Sequence, residues 1–117
     1  MNINELMKQA HDNAMKRGFY KCIYCGGTGN VKYGTCIEKC FNCKGTGKDA
    51  LTNVCDDIML EVEELRISTF KKEFDKDSRE SELSDIILIL LAYCEEEHID
   101  IVQAIIAKNE YNKTRED

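Results

Sequence analysis

The chain contains no proline, no excess of positive charge and no apolar run long enough to span a membrane. The absence of proline fits mostly helical structure, because proline interrupts the hydrogen bonds within a helix. A net charge of −6 argues against a protein that simply coats nucleic acid. The longest purely apolar run, 86–93, is far shorter than the ~20 residues that a membrane-spanning helix needs. We therefore expect no membrane partner.

Seven cysteines stand in a chain of 117 residues, and no apolar N-terminal segment precedes them. The start, residues 1–5, does not have the pattern of a secretion signal. We therefore expect a soluble, cytoplasmic protein, in which clustered cysteines indicate metal binding before disulfides. The length favours one compact domain, or one small domain that carries an insert.

Residues 20–50 differ in composition from the rest of the chain. They contain five of the seven cysteines and six of the seven glycines. Five lysines and two acids give this region a balance of +3, which leaves −9 for the rest of the chain. Two segments, 22–29 and 40–47, share the pattern C-x-x-C-x-G-x-G, with fourteen residues between Cys25 and Cys40.

Each C-x-x-C pair can form a tight turn that offers two thiolates to one ion, and the glycines permit positive φ angles. The doubled pattern predicts a tetrahedral zinc site, with an iron–sulfur centre or a redox dithiol as alternatives. The predicted ligands are Cys22, Cys25, Cys40 and Cys43. Cys36 lies between the repeats and is expected not to be a ligand. Cys55 and Cys94 have apolar surroundings and are expected to be small core residues.

Two acidic pairs with i, i+3 spacing flank a seventeen-residue spacer: Glu61 with Glu64, and Glu82 with Asp85. On a helix this spacing places both carboxylates on one face, ~5–6 Å apart. If the two helices pack together, the four carboxylates repel one another unless a cation lies between them. Such an all-oxygen site suits Mg²⁺ or Mn²⁺. The alternative interpretation is two solvated acidic helix faces.

Four segments have the apolar periodicity of helices. Their expected N-caps are Asn4, Asp49 or Thr52, Asp77, and Asp100. Gly18 is expected to end the first helix. The third helix, from residue 78 to about residue 97, is apolar on nearly every side, so part of it is expected to meet another subunit.

The last helix is expected to point four apolar residues inward: Ile101, Val102, Ile105 and Ile106. Its Lys108, Asn112 and Arg115 share one face, which is most simply a basic surface stripe. His11 lies near the apolar stripe of the first helix. It could contact a nucleotide, although helix packing or solvent exposure is the simpler interpretation.

The two cysteine segments resemble the cysteine-rich repeat of DnaJ-type co-chaperones, in which pairs of C-x-x-C-x-G-x-G units share a zinc ion. The resemblance covers about thirty residues and includes enough repeats for one ion. No J-domain signature precedes the repeats, so the motif does not indicate a complete co-chaperone.

The rest of the chain resembles the MazG-like, all-α nucleoside triphosphate pyrophosphohydrolases, which are marked by E-x-x-E, a spacer and E-x-x-D. The four acids match that pattern in order and separation, and residues 11–19 and 99–115 resemble the family's first and last helices. The resemblance implies a bundle of about four helices formed by residues 1–19 and 51–117. A zinc-binding insert, 20–50, would connect its first two helices.

The same resemblance implies a homodimer or homotetramer that cleaves a nucleoside triphosphate to the monophosphate and pyrophosphate. Glu61, Glu64, Glu82 and Asp85 would form the catalytic site and hold Mg²⁺ or Mn²⁺, and one glutamate could accept the proton of the attacking water. Lys108, Asn112 and Arg115 would be phosphate-side donors.

The main alternative is a zinc-centred binding module on a helical oligomer, without catalysis. The lysines of residues 20–50 and four aromatic side chains could meet nucleic acid through charge and stacking: Tyr20, Tyr24, Tyr33 and Phe41. The aromatic residues could instead cover the small core of the insert. Four intact acidic positions favour the enzyme, and the zinc is expected to be structural.

Overall fold

The computed structural model describes residues 1–68 and 78–115, which form four α-helices and one β-hairpin. The helices are α1 (Ile3–Lys16), α2 (Ala50–Ser68), α3 (Arg79–Glu96) and α4 (Ile101–Thr114). Strands β1 (Asn30–Tyr33) and β2 (Cys36–Lys39) pair antiparallel within the connection from α1 to α2. The prediction of a mostly helical chain is confirmed for the described residues. The sequence also predicts helical or frayed structure from Ile67 to Phe74, and residues 69–74 of that segment lie outside the described residues.

The core forms where α3 packs against both α1 and α2. One buried cluster combines residues from all three helices and from the segment after α1: Ala14, Tyr20, Val54 and Ala92. A second cluster joins α1 to α3: Met7, Leu91 and Cys94. The prediction that Cys94 is a core residue is therefore confirmed. Because α3 contributes to both clusters, its position fixes the other two helices relative to each other.

The first helix begins earlier than predicted, because Asn2 and not Asn4 is its N-cap. The side chain of Asn2 accepts a hydrogen bond from the backbone amide of Glu5 at 2.9 Å and donates one to the Glu5 carboxylate at 3.0 Å. This reciprocal pair resembles a capping box and selects the earlier asparagine. The helix ends before Gly18, whose φ of 67° confirms the predicted stop.

The other predicted caps are mostly confirmed. Asp49 and Asp100 each accept a hydrogen bond at 3.2 Å from the amide three residues further on, at the starts of α2 and α4. At the start of α3 the N-cap is Ser78, which accepts the corresponding amide at 3.4 Å. The predicted cap, Asp77, lies outside the described residues. A serine is as suitable an N-cap as an aspartate, so the two neighbouring residues were close competitors.

The connection from α1 to α2 is closed at its base by backbone pairing. Lys21 and Lys48 form an isolated antiparallel bridge. Two backbone hydrogen bonds of 2.9 Å accompany it: Cys22 N–H to the Gly47 carbonyl, and Asp49 N–H to the Tyr20 carbonyl. The long connection therefore leaves α1 and returns to α2 at nearly the same place.

Side chains also attach this base to the helices. His11 Nε2 of α1 lies 2.6 Å from Glu96 Oε2 of α3, and the Lys48 ammonium lies 3.8 Å from the other oxygen of the same carboxylate. The imidazole ring stacks on Tyr20, with 5.9 Å between the ring centroids. The packing interpretation of His11 is thus supported by a hydrogen bond and a ring contact.

The last helix projects from the bundle, and none of its residues is buried. Only Ile101 packs against the core, at its start. The prediction that Ile105 and Ile106 point inward is wrong for a single chain, since they are 60% and 51% exposed. The molecule is accordingly elongated, with extents of 56 × 38 × 35 Å.

Apolar residues are also exposed on the other helices, because each of them has few neighbours within one chain. On α2 Val54 is buried, whereas Met59 and Val62 are exposed. Cys55 is exposed as well, which corrects its prediction as a core residue. The helix predicted to be buried all round, α3, exposes four large side chains: Leu83, Ile87, Leu88 and Leu90. Within residues 1–68 and 78–115, no helix combines the length and the apolarity required to cross a membrane.

Candidate metal sites

Four cysteine side chains of the α1–α2 connection meet in one cluster. The Sγ atoms of Cys22, Cys25, Cys40 and Cys43 lie within 4.8 Å of one another. Two cross-repeat separations are 3.9 Å, for Cys22 and Cys40, and 3.7 Å, for Cys25 and Cys43. A disulfide would need ~2.05 Å, whereas a tetrahedral zinc with Zn–S bonds of ~2.3 Å would hold its sulfurs ~3.8 Å apart. The geometry therefore fits four ligands of one ion.

The repeated glycines build the surroundings of these sulfurs. The amide of Gly29 donates to Cys25 Sγ and the amide of Gly47 donates to Cys43 Sγ, both at 3.2 Å. Both glycines have positive φ angles, 82° and 76°, and a Cβ at either would collide with a backbone carbonyl of the other repeat. The last glycine of each repeat is therefore required by conformation and by space. The positive φ angles expected of the repeated glycines are thus confirmed.

Asn42 links the thiol cluster to the start of α2. Its side-chain amide donates to Cys22 Sγ at 3.3 Å and to Asp49 Oδ2 at 2.8 Å. The hydrogen bond from Asn42 is the main reason that the pKa of Asp49 is lowered. No sequence pattern marks Asn42 for this role, because it occupies one of the variable positions of the C-x-x-C pair.

Hydrogen bonds favour the thiolate form at two of the cysteines. Burial opposes ionisation of Cys43, but the Gly47 amide and the neighbouring Cys25 outweigh it and lower the pKa to about 6. Burial likewise opposes ionisation of Cys22, whose pKa is nevertheless lowered by Asn42 and nearby amides. The thiolate is the form that binds metal. The donor set is therefore suited to a thiophilic ion such as Zn²⁺.

The pKa of Cys40 moves in the opposite direction. The Cys43 amide lowers it, but burial and the neighbouring sulfurs outweigh that effect and raise the pKa. Thiolates held this close together would repel one another unless a cation compensates their charge. Cys36 lies in β2, exposed and outside the cluster, in agreement with the prediction that it is not a ligand.

A second cluster forms where α2 meets α3. One carboxylate oxygen each of Glu61, Glu64 and Glu82 lies within 4.8 Å of the other two. Glu82 is only 3% exposed, Glu61 is half-buried and Glu64 is exposed. Three of the four predicted acids are thus brought together. Asp85 lies outside this close group, although it lines the adjoining cleft.

The electrostatics of Glu61 indicate a cation site. Its Oε2 atom is buried and has no hydrogen-bond partner among the described residues. Burial, followed by the nearby carboxylates of Glu64, Asp85, Asp57 and Glu82, raises the pKa of Glu61 to about 7. An unpartnered buried carboxylate oxygen is costly, and a bound cation would remove that cost. Hard, oxygen-preferring ions such as Mg²⁺ or Mn²⁺ fit this donor set.

A cleft of about 380 Å³ adjoins the acidic cluster, between α1, α2 and α3. Its polar lining consists of Gln9, Asn13, Arg17, Asp57, Glu61 and Asp85. Its apolar lining consists of Leu6, Ala10, Ala14, Phe19, Leu88, Ile89 and Ala92. The volume lies in the usual range for small-molecule sites, ~300–1,000 Å³.

Asp57 and Arg17 are site residues that the acidic motif does not include. Asp57 precedes Glu61 by four residues on α2, a spacing that would have identified it. Burial raises the pKa of Asp57 and Arg17 lowers it, while Glu64 and Asp85 raise it further. Arg17 belongs to the segment after α1, and only the packing of three helices brings it to the cleft.

The three predicted phosphate donors do not line this cleft. Lys108, Asn112 and Arg115 are exposed, and Lys108 Nζ lies 4.9 Å from the centroid of the Tyr111 ring. His11 is also absent from the cleft lining. Within a single chain, these residues and the acidic cluster are therefore separate features.

Comparisons of the chain with protein-family models, curated proteins and solved structures found no match. The resemblances to MazG-like enzymes and DnaJ-type repeats therefore rest on the sequence motifs. The chemistry assigned to the two clusters follows from their donor atoms and geometry.

We expect the thiol cluster to hold about one zinc ion per chain. Cys40→Ser removes a buried ligand and should lower the zinc content of the purified protein to near zero. Cys36→Ser, which changes an exposed thiol outside the cluster, should leave the zinc content unchanged. Elemental analysis of both variants checks the assignment. Equal loss of zinc from both would contradict it.

The acidic cluster should make the metal-free protein less stable as the pH rises. The pKa of Glu61 is raised from its ordinary value of 4.5 to about 7. Between these values the folded state binds more protons than the unfolded state, so the free energy of unfolding falls as pH rises. Urea denaturation at a series of pH values should show this fall in native protein without divalent ions.

Glu61→Gln should flatten the pH dependence, and Mg²⁺ should raise the stability of the native protein most above pH ~7. Asp56→Asn, at an exposed position of the same helix, is the matched control and should leave the profile unchanged. The same pH dependence in the native protein and in Glu61→Gln would show that ionisation of Glu61 does not destabilise the fold.

Proposed function

We propose that the chain is a Mg²⁺-dependent nucleoside triphosphate pyrophosphohydrolase, which converts a (d)NTP and water to the (d)NMP and pyrophosphate. The observation that carries the proposal is the meeting of Glu61, Glu64 and Glu82 beside a cleft of about 380 Å³. These three acids occupy the motif positions that resemble those of MazG-like enzymes. Mn²⁺ could replace Mg²⁺, because both prefer oxygen ligands.

The triphosphate is proposed to lie where the acidic cluster joins the cleft. Mg²⁺ held there would supply positive charge that offsets the negative charge of the phosphates. Glu61, Glu64 and Glu82 supply its carboxylate ligands. Arg17, which lines the same cleft, donates hydrogen bonds to a phosphate in the two-pronged geometry that guanidinium groups favour.

Asp57 and Asp85 are proposed to handle the attacking water. Both line the cleft beside the cluster without belonging to its closest group. A carboxylate in that position can orient a water and accept its proton. Attack on the α-phosphorus then breaks its bond to the oxygen shared with the β-phosphorus, and pyrophosphate leaves.

The nucleoside is proposed to lie further into the cleft, against α1. Gln9 and Asn13 are one turn apart on that helix and both line the cleft. An amide can both donate to and accept from a base edge. Phe19 and Leu88 supply apolar surface for the base or sugar.

We further propose that the protein is a homodimer or homotetramer. Apolar residues on α3 and α4 remain exposed in one chain, among them Ile87 at 53% and Ile106 at 51%. Lys108, Asn112 and Arg115 remain proposed phosphate donors. Because none lines the cleft of its own chain, they would act at the cleft of a neighbouring subunit.

Sedimentation or light scattering should give a mass of two or four chains at micromolar concentration. Ile87→Lys combined with Ile106→Lys places charges on the proposed interface and should lower that mass. Ile37→Lys changes a residue of β2 that is 70% exposed and should leave the mass unchanged. A monomeric native protein would contradict the proposed assembly.

The alternative, a binding module without catalysis, is less well supported. Tyr20 is only 2% exposed and cannot stack on nucleic acid, although Tyr24, Tyr33 and Phe41 are exposed. Three lysines of the insert directly adjoin cluster cysteines: Lys21, Lys39 and Lys44. Zinc with four thiolates is net negative, so these lysines offset that charge and leave little for a nucleic acid. The insert is therefore proposed to use zinc for its own folding.

Purified protein with Mg²⁺ should release pyrophosphate from at least one of the canonical or modified (d)NTPs. Glu64→Gln and Asp85→Asn should each lower kcat by ~100-fold or more, as expected when a catalytic carboxylate is lost. Asp56→Asn, exposed on α2 outside the cleft, is the control and should keep full activity. Release of a nucleoside diphosphate and inorganic phosphate would contradict the proposed cleavage position.

A further inference from the structure

A short chain of hydrogen bonds leads from the thiol cluster to the helix that carries the acids. Asn42 donates to Cys22 Sγ at 3.3 Å and to Asp49 Oδ2 at 2.8 Å. The other oxygen of Asp49 accepts the Thr52 amide at 3.2 Å, which caps α2. Asn42 therefore contacts a sulfur of the thiol cluster and also holds Asp49, which caps α2. Because α2 carries Glu61, this chain of hydrogen bonds connects the two clusters.

A second connection passes through Asn53 of α2. Its side-chain amide donates to the carbonyls of Phe19 and Lys21, at 2.6 Å and 2.7 Å. Lys21 directly precedes the ligand Cys22, and Phe19 lines the cleft. Asn53 therefore fastens the segment between the cleft and the first cysteine to α2.

We propose that Asn42 and Asn53 are positioning residues that couple metal binding at the thiol cluster to divalent-ion binding at the acidic cluster. A metal on the four sulfurs fixes Cys22, and with it the Asn42 amide that holds Asp49. The same metal orders the segment after α1 that Asn53 binds. Both effects organise the start of α2 and the cleft lining, so that the acidic cluster binds its ion more tightly.

The physical reason for the coupling is that one ion shared by four sulfurs holds the two cysteine repeats together. Without that ion the two repeats are free to separate, and the contact between Asn42 and Cys22 Sγ then weakens. Asp49 then loses the donor that fixes its carboxylate, and the first turn of α2 loses part of its cap. When metal on the sulfurs has already ordered the start of α2, divalent-ion binding at the carboxylates no longer has to supply the free energy for that ordering.

Thermodynamic linkage makes the coupling reciprocal. If metal on the sulfurs tightens Mg²⁺ binding at the carboxylates, Mg²⁺ must tighten metal binding at the sulfurs by the same factor. Coupling between sites is typically ~5–150-fold, and a connection through a few hydrogen bonds places this protein near the lower end of that range. The proposal requires both metal sites but not the proposed hydrolysis.

The test uses Co²⁺ as a probe of the thiol cluster, since its thiolate bonds give a charge-transfer absorbance. Co²⁺ affinity is measured against a competing chelator, with and without saturating Mg²⁺, in the full-length protein. Native protein should bind Co²⁺ ~5-fold more tightly with Mg²⁺. Calorimetric titration should show Mg²⁺ binding tightened by the same factor when the thiol cluster is filled. If neither metal changes the affinity for the other, the proposed coupling is overturned.

Asn42→Ala and Asn53→Ala should each reduce the coupling factor towards one. Asn30→Ala is the matched control, because the side chain of this exposed β1 residue makes no hydrogen bond within residues 1–68 and 78–115. If Asn42→Ala and Asn53→Ala lower Co²⁺ affinity but keep the native coupling factor, they only support the thiol cluster and the proposal is wrong. Circular dichroism identifies a variant that fails to fold, in which case the other variant decides.

The outcome for the proposed hydrolysis is separate. Coupled metal binding without pyrophosphate release would support this inference and contradict the proposed function. Pyrophosphate release with uncoupled metals would do the reverse. If calorimetry finds no Mg²⁺ binding that Glu64→Gln abolishes, the acidic cluster is not a divalent-ion site and both proposals fail.

Discussion

Sulfur and carboxylate donor atoms held close together are the constraint on which this structure depends. Four sulfurs form one such group and three carboxylates form the other. Each group is unfavourable by itself where burial removes solvent, as the raised pKa of Glu61 illustrates. The fold supplies partial compensation, since glycine amides and Asn42 reach the sulfurs and Arg17 lies by the acids. Glu82 also lies in the first turn of α3, where the helix dipole favours negative charge.

Features set by neighbouring residues could be predicted from the sequence. The four helices, the caps Asp49 and Asp100, and the stop at Gly18 follow from periodicity and local hydrogen bonding. The thiol cluster was predictable for the same reason. Its two pairs each form within four residues, and the repeated glycines shape the turns around the sulfurs. The prediction that Glu61, Glu64 and Glu82 lie close together required one further assumption, namely that α2 and α3 pack against each other.

Features set by tertiary packing could not be predicted in this way. Asn2 and Asn4 are equally good caps by residue type, and only the pairing with Glu5 distinguishes them. Arg17 reaches the cleft because α1 ends beside α2 and α3, which no spacing within α1 reveals. The isoleucines of α4 are predicted to point inward from their apolar pattern, but Ile105 and Ile106 are exposed. An apolar pattern indicates that a face is buried somewhere, but it does not say whether its own chain provides the partner.

The cysteine-rich connection between α1 and α2 contributes no carboxylate to the acidic cluster, and its position determines how it is attached to the helices. Because Lys21 pairs with Lys48, its ends meet, and the helices are joined as if by a short loop. The conformational entropy that this long connection loses on folding is thus lost among its own residues, where metal binding can compensate the loss. The junction of α1 and α2 does not bear that cost. Among the described residues, the side-chain contacts that join this connection to the helices include Asn42 with Asp49, Asn53 with the Lys21 carbonyl, and Lys48 with Glu96. Changes in the connection are transmitted to α2 through contacts of this kind, so the few side chains that make them carry much of any communication between the two clusters.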